Sequence, residues 1–363
     1  MARGLSLHGA HLSASAVQEF VETIVTQSMD NDADPIPVCI WGMHGIGKTT
    51  LVEEIAHCNA WKFAYAAPAQ FEEMGDLHGL PVVQGNVTSF AKPDWVPTEP
   101  GPGILLLDDL NRADDRILRG LMQLLQRSEL VSWALPDNWH IIVTANPEGG
   151  DYSVTPMDDA MLTRMLHVTL KFDPRAWASW AVKAGVDERG VGFVLTYPEA
   201  VTGSRTTPRS LTQLFEQLKP IEDLQANEDL VNALALSALD EATAVAFMSF
   251  VNDGQRVLLS PDEILSDPWP DVSNKIKQLA SDENGLRLDL LNAMSTRLLI
   301  AVSDREFTPT KKQSKNLIAF LKHESLPADL RQMLHGELIS QASPEVAEIM
   351  RDKDLAKLIL DAI

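Results

Sequence analysis

A glycine-rich segment that holds one lysine and one threonine carries the clearest chemical signal in the sequence. Over Gly42–Thr49 it has the pattern Gly-x-x-Gly-x-Gly-Lys-Thr, and it lies between an apolar run and a run with helical periodicity. The glycines let the backbone bend so that its N–H groups point at phosphate oxygens. Lys48 would place a positive charge on the β- and γ-phosphates, and the Thr49 hydroxyl can bind Mg²⁺. This spacing predicts a phosphate-binding loop for a nucleoside triphosphate.

The helix that follows the loop points the positive end of its dipole at the same anion, which supports this prediction. We expect the ligand to be ATP or a close relative, bound together with Mg²⁺ at Thr49. The predicted nucleotide-binding residues are those of the loop and the residue after it: Gly42, Met43, His44, Gly45, Ile46, Gly47, Lys48, Thr49 and Thr50.

A pair of acids follows a second apolar run. A strand is predicted over 104–107, and it ends in Asp108 and Asp109. Asp108 is predicted to hold Mg²⁺ through water, and Asp109 to orient or deprotonate the water that attacks the γ-phosphate. An acidic turn after a buried strand is also common on protein surfaces, so it is the phosphate loop that favours the catalytic interpretation.

Three further polar residues follow in the chain. Asn146 lies in Thr-Ala-Asn-Pro at the end of a predicted strand, where it could position the same water, although Asn-Pro is also a turn signal. Arg164 and Arg209 come later, and a lone arginine is most often solvated or in a surface ion pair. Their order after the loop and the acids makes all three candidates for the catalytic site.

The elements that must position these residues alternate between strand and helix. Helices are predicted over 13–28 and 116–126, strands over 38–41, 104–107, 141–144 and 167–170, and a hairpin over 130–140 with its turn at 136–138. This alternation predicts an α/β fold with a parallel sheet flanked by helices. After a break at Asp173-Pro174 the pattern is helical, and capping signals at Ser260, Pro327 and Pro344 predict further helices toward the C-terminus.

The net charge of the chain indicates which classes of partner it can bind. The net charge of the 363 residues is −21, which repels nucleic acid unless a basic stripe compensates. The short basic cluster 311–315 is interpreted as a solvated helix start, and the candidate pore loops 72–79 and 131–140 are not basic. The acidic charge therefore favours a protein partner over DNA or an anionic membrane. Because no apolar run has membrane-spanning length, we expect a cytoplasmic protein. Cys39 and Cys58 are expected to stay reduced.

The succession of motifs resembles the AAA+ ATPases of the MoxR-like, dynein-related branch. The Asp-Glu-Ile/Leu-Asn-Arg-Ala block of that branch is matched by Asp108–Ala113, and its Thr-x-Asn-Pro sensor by Thr144–Pro147. Its Leu-x-x-Arg finger segment is matched by Met161–Arg164, with methionine first, and the Pro-Arg-Ser motif of its lid by Pro208–Ser210. The resemblance covers about residues 36–253 and leaves the first helix and the C-terminal segment unmatched.

This resemblance implies a P-loop NTPase that forms a ring, commonly a hexamer, with ATP between neighbouring subunits. Arg164 would be the finger that reaches the next subunit's site, Arg209 the lid's sensor of the nucleotide, and Arg112 a further interface residue. Such proteins remodel or activate other proteins, many of them with a partner that carries a von Willebrand factor A domain. Together with the helical pattern outside the matched residues, the resemblance predicts a nucleotide-binding domain over 1–172 that includes the first helix, a helical lid over 173–253 and a helical C-terminal extension over 254–363.

One departure from the family pattern keeps alternatives open. The usual catalytic glutamate is Asp109 here, and its carboxylate is one methylene shorter. Hydrolysis could therefore be slow, and the protein could be a nucleotide-gated scaffold. A third hypothesis is a nucleic-acid motor or a nucleotide-dependent restriction subunit, since related sequences drive DNA translocation, although the net charge and the absence of a basic stripe argue against it.

Overall fold

The computed structural model describes residues 6–30, 35–149, 153–202, 205–254, 258–282, 285–303 and 307–360. The chain divides into two units, Met1–Asp173 and Pro174–Ile363. The first contains the predicted phosphate loop, and the second consists almost entirely of helices in its described part. Within the described ranges, no helix combines the length and the apolar character needed to cross a membrane.

The first unit is built around a parallel sheet. Its strands are β1 (Ala10–Leu12), β2 (Val38–Trp41), β3 (Lys62–Ala66), β4 (Leu80–Gln84), β5 (Val87–Ala91), β6 (Gly103–Leu107), β7 (Glu129–Leu130), β8 (Trp133–Ala134), β9 (Trp139–Ala145) and β10 (Leu166–Leu170). In the described part of the chain the sheet has the order β1-β10-β2-β9-β6-β3, and all neighbouring strands are parallel. β4 pairs with β5, and β7 with β8, as small antiparallel hairpins.

Helices cover both faces of this sheet. The helices of the first unit are α1 (Ala14–Asp30), α2 (Lys48–Cys58), α3 (Met74–His78), α4 (Asp115–Arg127) and α5 (Asp159–Leu162). Residues alternate along β2, so Val38 and Ile40 pack in one apolar cluster with α1 and α2, whereas Cys39 and Trp41 pack in another with α4. All residues of β2, β6 and β9 are buried, as expected for parallel strands covered on both faces. The predicted fold class is confirmed.

The predicted helix over 116–126 is α4, and its start is set by a side-chain cap. The Asp114 carboxylate accepts hydrogen bonds from the backbone N–H groups of Arg116 (2.9 Å) and Ile117 (3.0 Å). Five apolar residues at helical spacing are buried against the sheet, namely Ile117, Leu118, Leu121, Leu124 and Leu125. α4 thus lies along the sheet directly after the acid pair.

The predicted hairpin over 130–140 is wrong in its turn. The hairpin turn lies between Leu130 and Trp133, whereas the turn at 137–138 connects β8 to β9, which belong to different sheets. Trp139 pairs with Gly103 instead and begins the long strand β9. The prediction failed because Pro-Asp-Asn is a strong turn signal but does not lie between two strands that pair with each other. The apolar residues before it belong to the small hairpin, whereas those after it belong to the main sheet.

In its described residues, the second unit consists of helices and one short strand pair. Its elements are α6 (Pro174–Lys183), α7 (Glu188–Thr196), α8 (Pro208–Leu218), α9 (Glu228–Ala238), α10 (Glu241–Ser249), α11 (Pro261–Ser266), α12 (Trp269–Ala280), β11 (Ser281–Asp282), β12 (Gly285–Leu286), α13 (Leu288–Val302), α14 (Lys311–Leu321), α15 (Ala328–Gln341), α16 (Pro344–Ile349) and α17 (Lys353–Leu360). Residues from α11 to α17 share an apolar core that includes Leu291, Phe320 and Leu355. The helical C-terminal region is therefore confirmed.

Capping signals predicted the helix starts of this region. The Ser260 hydroxyl accepts a hydrogen bond from the Glu263 N–H (3.1 Å), and the Glu263 carboxylate accepts one from the Ser260 N–H (2.8 Å). The Ser343 hydroxyl caps α16 in the same way, by accepting from the Val346 N–H. The further division of this unit into a lid over 173–253 and an extension over 254–363 stays a prediction.

Candidate nucleotide site

Three neighbouring strands of the sheet end at one edge, and the polar residues predicted for the site follow them. Trp41 at the end of β2 pairs with Ala145 on β9, and Leu107 at the end of β6 pairs with Val143 on β9. The residues that come next in the chain therefore meet at the carboxyl edge of the sheet. This edge is where open α/β sheets bind their ligands.

The glycine-rich loop leaves β2 and turns into α2. Gly45 has φ 69° and Gly47 has φ 101°, and both values lie in the left-handed region that side chains disfavour. Gly42 N–H donates to Ala145 O (3.2 Å), which anchors the loop to β9, and Leu51 N–H donates to Gly47 O (2.9 Å) at the first turn of α2. The loop thus has the strand–loop–helix context that a phosphate site requires.

Lys48 is buried in the loop that it would use to bind phosphate. Its ammonium group donates to Gly42 O (2.8 Å), Met43 O (3.1 Å) and the Asn146 side-chain oxygen Oδ1 (3.2 Å). A buried ammonium requires such partners because desolvation of a charge is costly. The lysine is therefore held inside the loop by two backbone carbonyls and by one amide at the end of β9.

Asp108 accepts hydrogen bonds on both carboxylate oxygens. Its Oδ1 accepts from the Thr49 hydroxyl (2.9 Å) and from the Thr144 hydroxyl (2.6 Å), and its Oδ2 accepts from the phenol of Tyr65 (3.3 Å). Thr144 Oγ1 also accepts from the Asp109 N–H (2.8 Å). The three strands β3, β6 and β9 and the helix α2 thus converge on this one carboxylate.

Asp109 lies beside it with a left-handed backbone, at φ 51°. Its Oδ1 accepts from the amide nitrogen of Asn146 (2.7 Å), and its Oδ2 lies 3.4 Å from Nε of Arg112. Aspartate is among the few residues that tolerate this backbone conformation. Both carboxylate oxygens therefore have a partner on the neighbouring strand end or turn.

Asn146 connects the loop to the second acid. Its side-chain oxygen accepts from Lys48, while its side-chain nitrogen donates to Asp109. Its backbone is fixed by Asn111, whose amide donates to Asn146 O (2.7 Å) and accepts from Asn146 N–H (3.0 Å). Both asparagines are fully buried, and hydrogen bonds on each side fix their amide orientation.

Mg²⁺ fits the donors at this edge. The Thr49 hydroxyl and the Asp108 carboxylate lie within hydrogen-bond distance of each other, and both are oxygen ligands of the kind that Mg²⁺ prefers. Among the described residues, no group of three or more His, Cys, Asp or Glu side chains could hold a metal ion. Sparse protein ligands suit Mg²⁺, which usually keeps waters and binds substrate phosphates as well.

Comparison with known proteins agrees with this geometry. Residues 37–165 match the family model described as AAA domain, dynein-related subfamily. This segment is an AAA domain of the dynein-related subfamily. The match covers the phosphate loop, the acid pair, the Asn146 segment and Arg164, and it confirms the family that the motifs resemble.

Solved structures are similar to the chain only distantly. The RuvB Holliday junction branch migration motor of Thermotoga maritima has 16% identity and a TM-score of 0.39, over 84% of this chain and 94% of that chain. A putative ATPase from Cytophaga hutchinsonii has 13% identity and a TM-score of 0.33, over 96% of this chain and 89% of that chain. No curated protein matches the sequence. Likenesses this distant indicate nothing about substrate or partner.

Arg164 of the AAA domain lies away from its own phosphate loop. It is in the turn between α5 and β10, and Leu166, where β10 begins, pairs with Val38, where β2 begins. The turn is therefore at the amino edge of the sheet, whereas the loop is at the carboxyl edge. The guanidinium of Arg164 contacts Gln126 near the end of α4 (3.3 Å and 3.4 Å) and the carbonyl of Ala160.

Arg209 belongs to the second unit and is exposed at the start of α8. The segment before it is well anchored. Thr207 and Ser210 form a reciprocal cap, and the Asp240 carboxylate accepts from the backbone N–H groups of Arg205 and Thr206. The role of Arg209 as a nucleotide sensor stays a prediction.

Tyr65 is a site residue that sequence reasoning missed. It lies on β3, next to β6, and its phenol donates to Asp108. Burial, and after it the negative charge of Asp108, raise the pKa of Tyr65, so the phenol keeps its proton and remains a donor. The signal was weak because β3 contains none of the large aliphatic residues that mark the buried strands, and most of its residues are exposed.

Proposed function

We propose that the chain is an ATP-hydrolysing AAA+ protein of the cytoplasm that remodels, activates or assembles a partner protein complex. The observation that supports hydrolysis best is the connected set Lys48–Asn146–Asp109 at the carboxyl edge of the sheet. It links the group that would bind the γ-phosphate to the group that would accept a proton from water. An adventitious glycine turn would not require this buried bridge.

The residues of the loop would bind the nucleotide. Backbone N–H groups of Gly42–Thr49 would contact the phosphates, and Lys48 would leave its carbonyl partners for phosphate oxygens. Thr49 and Asp108 would hold Mg²⁺, which supplies charge neutralisation of the phosphates when it is bound. Asn146 would keep Asp109 oriented toward the attacking water.

The position of Arg164 supports a ring with nucleotide at subunit interfaces. The four residues of β2 separate the turn of Arg164 from the loop, which is roughly 13 Å at about 3.3 Å per residue. An arginine at that edge serves a neighbour's site more easily than its own. A hexamer, the commonest ring of this branch, is the assembly we propose, with Arg112 as a second interface residue.

Arg209 supports a nucleotide sensor in the second unit. It is the second residue of α8, where the helix dipole disfavours a positive side chain. A bound phosphate would remove this disadvantage. We therefore propose that Arg209 contacts the nucleotide, as the resemblance to the lid motif implies.

The client we propose is a protein complex, recruited through an adaptor that carries a von Willebrand factor A domain. The net charge of −21 supports a protein client over a nucleic acid. Steady-state ATP hydrolysis with Mg²⁺, measured with and without duplex DNA at physiological salt, tests this. We expect Mg²⁺-dependent turnover that DNA does not change. A severalfold stimulation by DNA would instead favour a nucleic-acid motor.

A slow nucleotide-gated scaffold is the second candidate, and the Asp109 geometry favours it. The short carboxylate has both oxygens engaged, one by Asn146 and the other by Arg112. Each oxygen can still accept a further hydrogen bond, but the two contacts restrict how far the short carboxylate can turn toward a water. Tight ATP binding and ATP-dependent assembly without measurable hydrolysis would support the scaffold and contradict the remodelling ATPase.

A further inference from the structure

The turn that carries Arg164 is tied to the strand that carries the phosphate loop by one imidazole. His167 lies on β10, and its Nε2 is 2.7 Å from the carbonyl oxygen of Leu162, at the end of α5. Its Nδ1 accepts a hydrogen bond from the indole N–H of Trp41 (2.9 Å), and Trp41 directly precedes Gly42. His167 therefore contacts both the start of the loop and the turn of Arg164.

The indole fixes the tautomer of this imidazole. An indole nitrogen can only donate, so Nδ1 must be unprotonated and accept. The proton of the neutral ring is then on Nε2, which donates to Leu162 O. Burial lowers the pKa of His167. The hydrogen bond to Leu162 O opposes this effect and the nearby His8 adds to it, and because the net direction is downward the ring is neutral near pH 7 in this single arrangement.

The rest of the turn is held by packing and backbone bonds. Met161 and Met165, on either side of Arg164, are buried in the core that α4 shares. Leu162 O also accepts from the Met165 N–H (3.2 Å), and the Arg164 N–H donates to Met161 O (3.1 Å). The His167 bond is the one side-chain contact described for Leu162 O, and it links the turn to the sheet.

We propose that His167 is a positioning residue that fixes the turn of Arg164, so that the guanidinium reaches the neighbouring subunit's nucleotide. This inference rests on the proposed role of Arg164 across a subunit boundary. An arginine finger contributes on the order of a thousandfold or more to turnover, and a small displacement of such a group loses much of that effect. The nitrogen at Nε2, and not only the shape of the ring, is what this role requires.

Two substitutions of His167 distinguish the role of Nε2 from that of Nδ1. Glutamine can place its amide nitrogen near the position of Nε2 and donate to Leu162 O, whereas asparagine is shorter and can only reach the position of Nδ1. We expect His167→Gln to retain at least half of the turnover and His167→Asn to lose about tenfold. His11→Asn, on the exposed part of β1, is the matched control and should change nothing.

Mixed rings show in which subunit His167 acts. Arg164→Ala chains keep an intact loop, and Lys48→Ala chains keep an intact arginine, so only sites between the two kinds of chain can hydrolyse ATP. We expect His167→Asn to lower kcat about tenfold, with KM within about twofold, when it is placed in the Lys48→Ala chain that lends the arginine. Placed in the Arg164→Ala chain, it should leave kcat within about twofold.

The outcomes separate the proposals. Equal losses of turnover with His167→Asn in either chain of the mixed ring would show a merely structural role for His167. Equal losses for His167→Asn and His167→Gln would show the same. Either result would overturn this inference and leave the proposed role of Arg164 intact. A parent mixture that recovers no activity would overturn the role of Arg164, and this inference with it. If His167→Asn does not assemble by native mass spectrometry, His167→Gln decides alone, and less than a tenth of parent turnover in the arginine-lending chain contradicts the proposal.

Discussion

At the scale of single residues, we expect Asp109 to limit the rate at which the proposed site hydrolyses ATP. Asn146 and Arg112 each hold one of its carboxylate oxygens, and its backbone is left-handed. A glutamate at this position would extend the carboxylate by one methylene toward the nucleotide edge. The length of this side chain, more than its charge, is therefore expected to limit activation of the attacking water.

We expect Asp109→Glu to raise turnover severalfold and Asp109→Asn to lower it by about a hundredfold or more. The amide keeps a hydrogen-bonding group at the position but cannot accept the proton, and general-base catalysis typically contributes about 10²–10⁴-fold. Steady-state ATPase rates with saturating ATP and Mg²⁺ measure both effects. Parent rates in both variants would exclude Asp109 as the catalytic base, while ATP affinity serves as the control that the site still forms.

The lysine of the loop gives a prediction about ATP binding. Lys48→Ala removes a charge-assisted contact to the phosphates, so ATP affinity should fall by about a hundredfold, the equivalent of about 2.7 kcal/mol. Lys62→Ala, an exposed lysine paired with Glu99, is the matched control and should bind ATP normally. Isothermal titration measures both affinities, and an unchanged affinity for Lys48→Ala would contradict the phosphate-loop assignment.

At the scale of elements, the fully buried strands could be predicted from the sequence, whereas several of the partly exposed strands could not. β2, β6 and β9 were predicted because strands covered on both faces are continuous apolar runs. β1 and β3 were missed because they lie at the two edges of the sheet, where partly exposed positions break the apolar pattern. The exposed hairpin β4–β5 was also missed, since β-branched residues without alternation give no clear signal.

The residues of the site that follow buried strands could also be predicted from the sequence. The loop, the acid pair and Asn146 each follow a predicted strand, and their meeting at one edge follows from a parallel sheet. Tyr65 could not be predicted without β3, and the bridge from Asn146 to Lys48 depends on the order of β2 and β9 in the sheet. Local sequence specifies the elements, whereas strand order comes only from how the chain packs.

The capping aspartate of α4 gives a prediction at this scale. Asp114→Ala removes two hydrogen bonds to the first turn of α4, and loss of such a cap typically costs about 1 kcal/mol of unfolding free energy. Asp115→Ala, which removes an exposed ion pair with Arg119 and one charge from the first turn but no capping hydrogen bond, should cost less than about 0.5 kcal/mol. Urea unfolding of both variants gives the comparison, and equal costs would argue against the cap.

At the scale of the whole molecule, the charge and the subunit boundary matter most. A net charge of −21 disfavours close approach of identical acidic surfaces, so ring assembly must rest on specific contacts. The proposed insertion of Arg164 at a neighbour's anionic nucleotide would be such a contact. Bound ATP would then stabilise the contact between subunits, and the neighbouring subunit's arginine would complete the nucleotide site.

Arg164 provides the decisive test of this arrangement. Its turn lies at the amino edge of the sheet, a strand length from its own loop, so its contribution should appear only between subunits. Arg164→Ala and Lys48→Ala should each lose nearly all turnover, by about a thousandfold for the arginine, because a guanidinium near the γ-phosphate stabilises the charge of the transition state. The Arg164→Ala protein should still bind ATP, because its own loop is intact.

Mixing the two variants should restore part of the activity, since some sites then combine an intact loop with a neighbour's intact arginine. Gln126→Ala, which removes the side chain that contacts Arg164 within its own chain, is the control and should keep most of the parent rate. Native mass spectrometry verifies that mixed rings form. Mixed rings without any recovery would show that Arg164 does not act across the boundary, and full hydrolysis by Arg164→Ala alone would remove it from the catalytic residues. An ordinary interface salt bridge predicts a third result, in which the variant falls apart into smaller species while the rate per assembled site is unchanged.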